Sequence, residues 1–161
     1  MNQSPPIGNC RRIMEIKEVS AKEIPVSLLL LADPSKANIQ TYLEESWSIA
    51  AIQDQNIIGT CIAKQIRKDT VEVYNVAVYP AHQQQGIGTQ LLNNMITKLK
   101  LLNVSRIELG TGTFGYQLIY YQRLGFRVYN VWRDHFIKHY EEPLYENGLQ
   151  HFDMLRLELV L

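Results

Sequence analysis

Residues 76–89 read VAVYPAHQQQGIGT, and residues 90–102 continue QLLNNMITKLKLL. The stretch joins a strand to a helix through a glycine turn. Val71–Val78 is a run rich in Val and Tyr, and Pro80 ends it because proline has no N–H to give to a ladder. Leu91, Leu92, Met95, Ile96, Leu99 and Leu102 then recur at helical spacing, which predicts one amphipathic helix from about Gly86 to Leu101. Between the two lie Gln83, Gln84, Gln85, Gly86, Ile87, Gly88 and Thr89. A helix N-terminus leaves several backbone N–H groups unpaired and carries a partial positive charge. Successive free amides in a tight turn suit an anion, and Gly86 and Gly88 lack the Cβ atoms that would hold a phosphate away. No Lys-Ser/Thr pair follows, so this is no Walker P-loop, and Leu91 stands where a dinucleotide fold needs its third glycine. Taken alone, the turn reads as a phosphate cradle or as a plain glycine-rich helix start.

On its N-terminal side, residues 1–13 (MNQSPPIGNCRRI) are polar and without period, which predicts a flexible arm, followed by a domain over residues 14–161. Met14 directly precedes an alternating strand, Ile16–Val19. Residues 21–32 read as a helix, stopped by Asp33-Pro34-Ser35, with Ser35 as the N-cap of a second helix through about Leu43. Trp47–Gln53 and Ile57–Gln65 are strands about the polar turn Asp54-Gln55-Asn56. On the C-terminal side, the expected elements are a strand at Arg106–Leu109, a short helix at Tyr116–Arg123 and a long strand at Phe126–Lys138. A loop over Tyr140–Gln150 and a final strand at Met154–Leu161 complete the chain. The order β-α-α-β-β-β-α-β-α-β-β is that of a single α/β domain, a mixed β-sheet flanked by helices.

Gly110-Thr111-Gly112-Thr113-Phe114-Gly115 matches the dinucleotide pattern G-x-G-x-x-G. The helix after it is short, and only a β-rich tail follows, so two parallel βαβαβ halves cannot be built. A flexible strand-to-helix connection at the edge of a cleft is the better reading. Composition narrows the rest. Sixteen basic residues balance sixteen acidic ones, so no overall positive field favours nucleic acid or an anionic membrane. No apolar run reaches the length of a membrane span and no signal peptide is visible, which predicts a cytoplasmic protein. Cys10 and Cys61 cannot build a metal framework. His135, His139 and His151 lack metal-ligand spacing, so no metal is expected, and His82 reads as a solvated loop residue.

The strand ending Val76-Ala77-Val78-Tyr79-Pro80, then Gln83-x-x-Gly86-x-Gly88 and the amphipathic helix, resembles the central motif of the GCN5-related N-acetyltransferase (GNAT) superfamily, (Arg/Gln)-x-x-Gly-x-(Gly/Ala). Tyr121-Gln122-Arg123-Leu124-Gly125-Phe126 is similar to its second hallmark, a Tyr followed by Gly-Phe where the last helix meets a strand. The element order matches from about Met14 to Leu161. Tyr145-Glu146-Asn147-Gly148 with Asp153-Met154 also looks like a bacterial subgroup of that family. The resemblance implies acetyl-CoA as co-substrate. Val76, Ala77 and Val78 would bind its pantetheine arm through their backbone, and amides from Gln84 through Thr89 its pyrophosphate. It further implies that Tyr121 protonates the departing thiolate. Many family members carry an Asn before this Tyr, where Thr113 and Phe114 stand here.

Acyl transfer to an amine needs a neutral amine, a polarised carbonyl and a protonated leaving group, and direct attack in a ternary complex needs no cysteine. Cys61 therefore reads as a small core residue. The Val78 N–H could polarise the thioester carbonyl. Tyr121 suits general acid work, the alternative being a core aromatic beside Tyr120. Glu72, placed by period-two alternation on the face of Val76 and Val78, could accept the amine's proton, or be an exposed glutamate with no role. Trp47, Trp132, Tyr140 and Tyr145 line a pocket or belong to ordinary core.

The expected acceptor is a small-molecule amine. Its pocket is expected from residues 21–45 and 140–150, where Glu44, Glu45, Glu141, Glu142 and Glu146 hint at a cationic acceptor. A protein N-terminus or lysine as acceptor, and a silent acyl-CoA sensor, stay open as alternatives, and a nicotinamide-dependent oxidoreductase on Gly110–Gly115 is the rival class. The oligomeric state is not readable from the sequence; a homodimer stays open, since an exposed terminal strand such as Met154–Leu161 often supports dimers in this architecture.

Overall fold

The computed structural model describes residues 13–161; the reading of residues 1–13 as an arm lies, apart from Ile13, outside them. The elements in chain order are β1 (Met14–Val19), α1 (Val26–Ala32), α2 (Lys36–Leu43), β2 (Trp47–Gln53), β3 (Asn56–Arg67), β4 (Thr70–Val78) and α3 (Ile87–Leu101). They continue with β5 (Arg106–Gly112), α4 (Tyr116–Arg123), β6 (Arg127–Trp132), α5 (His135–His139), β7 (Tyr145–Glu146), β8 (Leu149–Gln150) and β9 (Met154–Val160). Seven strands form one mixed sheet in the order β1-β2-β3-β4-β5-β9-β6, and β7 with β8 forms a separate hairpin.

The helix expected over residues 21–32 is split. Ala21–Glu23 is a 3-10 turn closed by a capping box, in which the Ser20 N–H donates to Glu23 Oε2 at 2.8 Å. Pro25 disfavours a helical Ile24 and has no N–H to continue a ladder, so α1 starts at Val26. Ser35 caps α2 as expected, its Oγ accepting from the Asn38 N–H at 3.1 Å.

Three further expectations are corrected beyond Phe126. The long strand ends at Trp132, because Asp134 turns the chain in the left-handed region (φ 56°) with its N–H held by Asp153 Oδ1 at 2.8 Å, and α5 follows. The loop over 140–150 contains the β7–β8 hairpin, whose turn residues Asn147 (φ 52°) and Gly148 (φ 75°) both take the positive φ that a two-residue hairpin turn favours. The final strand is no edge. It pairs antiparallel with β5 on one side and β6 on the other, so the free edges belong to β1 and β6, and Met154–Leu161 offers no open strand for dimer formation.

The two faces of the sheet carry two cores. On one, Leu91, Leu92, Met95 and Leu99 of α3 are fully buried against Val71, Val73, Ile107, Leu109, Phe126 and Leu157. Each such side chain contributes about 1.5–3 kcal/mol on leaving water. On the other face, Leu28 and Leu29 of α1 and Ile39 and Tyr42 of α2 cover Ala50, Ile62 and Ala77. A sheet buried on both faces is a single three-layer domain.

Candidate active site

The sheet forks at its centre. β4 and β5 run parallel and pair only at Thr70–Arg106, Val71–Ile107 and Glu72–Glu108. Past that point β5 stays with β9, and β4 stays with β3. The Tyr79 N–H donates to the Ile58 carbonyl at 3.0 Å, which sets the phase of the β3–β4 ladder. Antiparallel pairs alternate between hydrogen-bonded and non-bonded, so Ala77 turns its backbone groups to Thr60, while Val76 and Val78 turn theirs into the fork. The Val78 carbonyl is taken there by the Gln83 side chain, Nε2 donating at 2.9 Å. Ala77 is thus a correction. Its backbone faces β3 and its side chain packs in the α1–α2 core.

The turn after β4 has the conformation that its glycines suggest. Gln84 (φ 59°) and Gly86 (φ 78°) are left-handed, and the first hydrogen bond of α3 runs from the Gln90 N–H to the Gly86 carbonyl at 3.1 Å. The N–H groups of Ile87, Gly88 and Thr89 at the helix start therefore lack helical partners. No side chain caps them and no acidic residue stands in the first turn. A cavity of about 320 Å³ opens beside them, bounded by Val76, Val78, Gln83, Gln84, Gly86–Thr89 and, from α4, Tyr116, Gln117, Tyr120 and Tyr121; His82 borders it too, and Gln85 does not. A Cβ at Gly88 would stand 3.5 Å from the Tyr120 hydroxyl, which lies buried against the helix start near Thr89. Tyr121 is 7% exposed, its ring edge-on to Phe126, and burial raises its pKa well above that of a free phenol. Cys61 is wholly buried, and burial pushes its thiol up to about 12.

A second cavity, of about 330 Å³, lies along the fork, and Gln117 borders both. Glu72 opens here and not beside Val76, which corrects its expected face. Asn75 pairs with Ile62 and Val73 with Ala63, leaving Tyr74 as an extra residue in β4. That bulge inverts the alternation. Val71 and Val73 before it, and Val76 and Val78 after it, all face the α3 core, so Glu72 points the other way. Arg156 of β9 donates to Glu72 Oε1 at 2.7 Å, lies 3.7 Å from Glu108 Oε2, and stacks on the Trp132 ring at 4.2 Å. Arg67 pairs with Glu108 from the other side. Two carboxylates side by side at the last β4–β5 pair are thus held together by two guanidinium groups.

The outer wall of this cavity comes from α1–α2 and from the segment between β6 and β9. Asp33 accepts from the Ser35 N–H (3.1 Å), Asn38 (2.6 Å), Tyr42 (3.4 Å) and Tyr140 (3.2 Å). His151 Nε2 donates to Glu146 at 3.0 Å, and its ring stacks on Phe114 at 4.2 Å. Burial, with His139 and Arg156 nearby, pushes His135 down to about 4, so its imidazole is neutral at pH 7. Of the acidic residues expected to line an acceptor pocket, only Glu146 does so; Glu44, Glu45, Glu141 and Glu142 are solvent-exposed elsewhere. Trp132 and Tyr140 reach the cavity, and Trp47 and Tyr145 do not. Asp33, His151 and Arg156 escaped the sequence reading. Arg156 sits on the polar side of an alternating strand, a side that faces solvent only when the strand is uncovered.

The Gly110–Gly115 motif receives a different explanation from nucleotide binding. A Cβ on Gly110 would overlap Met154, one on Gly112 would overlap the His151 ring, and one on Gly115 would overlap the Glu146 carboxylate. Its three glycines make room for side chains of the C-terminal segment. Among the described residues no group of three His, Cys, Asp or Glu is arranged to hold a metal, and no helix is long and apolar enough to cross a membrane.

Comparison with known proteins places this geometry. Residues 16–126 match the model of the acetyltransferase (GNAT) family. The chain is 40% identical over 149 residues, 92% of its length and 96% of the relative's, to the N-acetyltransferase YvbK of Bacillus subtilis (strain 168), itself described as uncharacterized. Among solved structures it is similar to an IAA acetyltransferase from Bacillus cereus ATCC 14579 (39% identity, TM-score 0.87, covering 92% of this chain and 100% of that one). It also resembles a GNAT family acetyltransferase from Elizabethkingia anophelis with acetyl-CoA bound (38%, TM-score 0.87, 92% and 98%). A third similar structure is a Bacillus subtilis acetyltransferase in complex with CoA (39%, TM-score 0.82, 94% and 99%). With forked sheet, glycine turn and family match in agreement, the chain belongs to the acetyltransferase (GNAT) family and is an N-acetyltransferase.

Proposed function

We propose that this enzyme moves the acetyl group of acetyl-CoA onto a primary amine of a small molecule, by direct attack with both substrates bound. The observation that carries the reading is the fork itself, with an anion-ready helix start on one side and an acidic, aromatic cavity on the other, meeting at Gln117. The unpaired N–H groups of Ile87, Gly88 and Thr89, with Gln84 and Gly86 shaping the turn, suit a pyrophosphate. Val76 and the Val78 N–H offer free backbone groups along the fork, where a pantetheine arm can add like a strand. Relatives at 38–39% identity have been solved with acetyl-CoA or CoA, which supports the same co-substrate here.

In this reading Tyr121 gives its proton to the departing thiolate, and the Val78 N–H donates to the thioester oxygen as charge builds there. Glu72 does not serve as the amine's base, because Arg156 occupies it. The second cavity, at about 330 Å³, is at the small end of ligand pockets, which favours a small acceptor over a folded protein surface. The test is a panel of primary amines incubated with acetyl-CoA, with free CoA thiol as the readout. Turnover with at least one small amine is expected. Binding of acetyl-CoA with no turnover of any amine would leave a silent sensor, and turnover only with peptide N-termini or lysines would move the acceptor to proteins.

A further inference from the structure

The walls of the acceptor cavity carry a statement about what fits between them. Phe114, Trp132, Phe136 and Tyr140 supply flat apolar surface. Three carboxylates line the same space, and two of them are already engaged. Asp33 receives four hydrogen bonds, and Glu72 is paired with the buried Arg156. Glu146 receives one, from His151, and its side chain is 41% exposed. It has lone pairs to spare and an open approach.

The placement of Glu146 is built rather than incidental. Gly115 precedes α4 with φ 102°, and only the absence of its Cβ lets the Glu146 carboxylate lie against the start of that helix, where unpaired N–H groups favour negative charge. Gly112 likewise admits the His151 ring, which Phe114 clamps by stacking. Gln117 stands in the first turn of α4 and borders the other cavity, so a group held by Glu146 is next to the fork. Among the described residues Arg156 is the one cation lining the cavity with a fixed charge, but it is 2% exposed and lies between Glu72 and Glu108. A carboxylate on the acceptor would find no free cation and three like charges.

We propose that the acceptor is a small aralkyl primary amine without a carboxylate, its ammonium received by Glu146 as positioned by His151, and its ring held by the aromatic walls. The inference rests on the acetyltransferase reading of the same site. The ammonium donates to Glu146 and gives up one proton there, leaving the nitrogen lone pair free to attack the acetyl carbon. The C–N bond forms as the C–S bond breaks, the thiolate takes the Tyr121 proton, the second amine proton passes through solvent to restore the tyrosine, and Glu146 releases the first to solvent.

The experiment compares 2-phenylethylamine, L-phenylalanine and 1,4-diaminobutane as acceptors with saturating acetyl-CoA, reading free CoA thiol, for the parent and for Glu146→Gln. 2-Phenylethylamine should have the highest kcat/KM, with L-phenylalanine lower by about 100-fold or more, because it adds an unpaired like charge. Glu146→Gln should raise the KM for 2-phenylethylamine by about tenfold or more and leave the KM for acetyl-CoA unchanged, which a merely structural role would not do. Faster turnover of L-phenylalanine or 1,4-diaminobutane, or an unaltered amine KM in Glu146→Gln, overturns the proposal. No turnover of 2-phenylethylamine by protein whose melting temperature rises with acetyl-CoA also overturns it, and leaves the acetyltransferase reading standing. Protein that does not bind acetyl-CoA refutes both.

Discussion

Tyr121→Phe separates chemistry from binding because of where the hydroxyl sits. The ring is 7% exposed, edge-on to Phe126 and in the core under α3, so phenylalanine keeps the packing. Among the described residues no protein group hydrogen-bonds the hydroxyl, so its loss should move stability by no more than about 1 kcal/mol. Burial raises its pKa, so the hydroxyl keeps its proton throughout the working pH range. The sign follows. An acid that works in its protonated form and whose pKa is raised stays competent as pH climbs, so kcat should not fall through loss of this proton at any pH up to about 10, the ordinary tyrosine value. Removing a positioned acid costs about 10²–10⁴-fold in rate, equivalent to about 2.7–5.4 kcal/mol of barrier. The loss should appear in kcat with the KM of acetyl-CoA little changed, because the bond is made only as charge builds on sulfur. Steady-state kinetics with free-thiol detection reads it. A kcat equal to the parent's would refute the role and make Tyr121 a core aromatic only.

Gly112→Ala should force His151 off its seat and impair amine KM while acetyl-CoA still raises the melting temperature; loss of acetyl-CoA binding would contradict the division between the two cavities. Cys61→Ala should leave kcat unchanged, and the Cys61 thiol should resist alkylation at pH 8, since burial holds its pKa at about 12; rapid labelling of Cys61 in folded protein, told apart from Cys10 by peptide mapping, would contradict the burial. Leu92→Ala removes a fully buried side chain from the centre of α3 and should cost about 2–5 kcal/mol, read by urea denaturation; a loss under about 0.5 kcal/mol would mean that α3 does not cover the sheet as described.

The parts of this molecule legible in sequence are those that local chemistry decides. Ser35 caps α2, Tyr116–Arg123 is helical, and the run from Leu91 to Leu99 buries the face its spacing predicts. The glycine turn at Gln83–Thr89 and the Tyr121 hallmark border one cavity, although they are separated by about thirty residues of chain. What stayed hidden depends on tertiary insertion. One extra residue at Tyr74 turned Glu72 to the opposite face, and no composition signal marks a bulge in a Val-rich strand. β9 enters between β5 and β6 after a detour of more than twenty residues, which buries Arg156 on a side that alternation alone assigns to solvent. The glycines at 110, 112 and 115 were conspicuous, but their purpose lies in Met154, His151 and Glu146, side chains that only the fold brings over them.

The most direct test of acetyl-CoA binding at the fork is the melting temperature measured across concentrations of acetyl-CoA, CoA and NADH. A ligand that binds only the folded chain stabilises it by about 2.7 kcal/mol at a hundred times its Kd. Acetyl-CoA and CoA should both raise the transition in a concentration-dependent way, since the proposed site at Val76–Thr89 would bind the pantetheine and pyrophosphate that they share, and NADH should not. A rise with NADH and none with acetyl-CoA or CoA would return the phosphate site to Gly110–Gly115 and contradict the placement of acetyl-CoA at the fork.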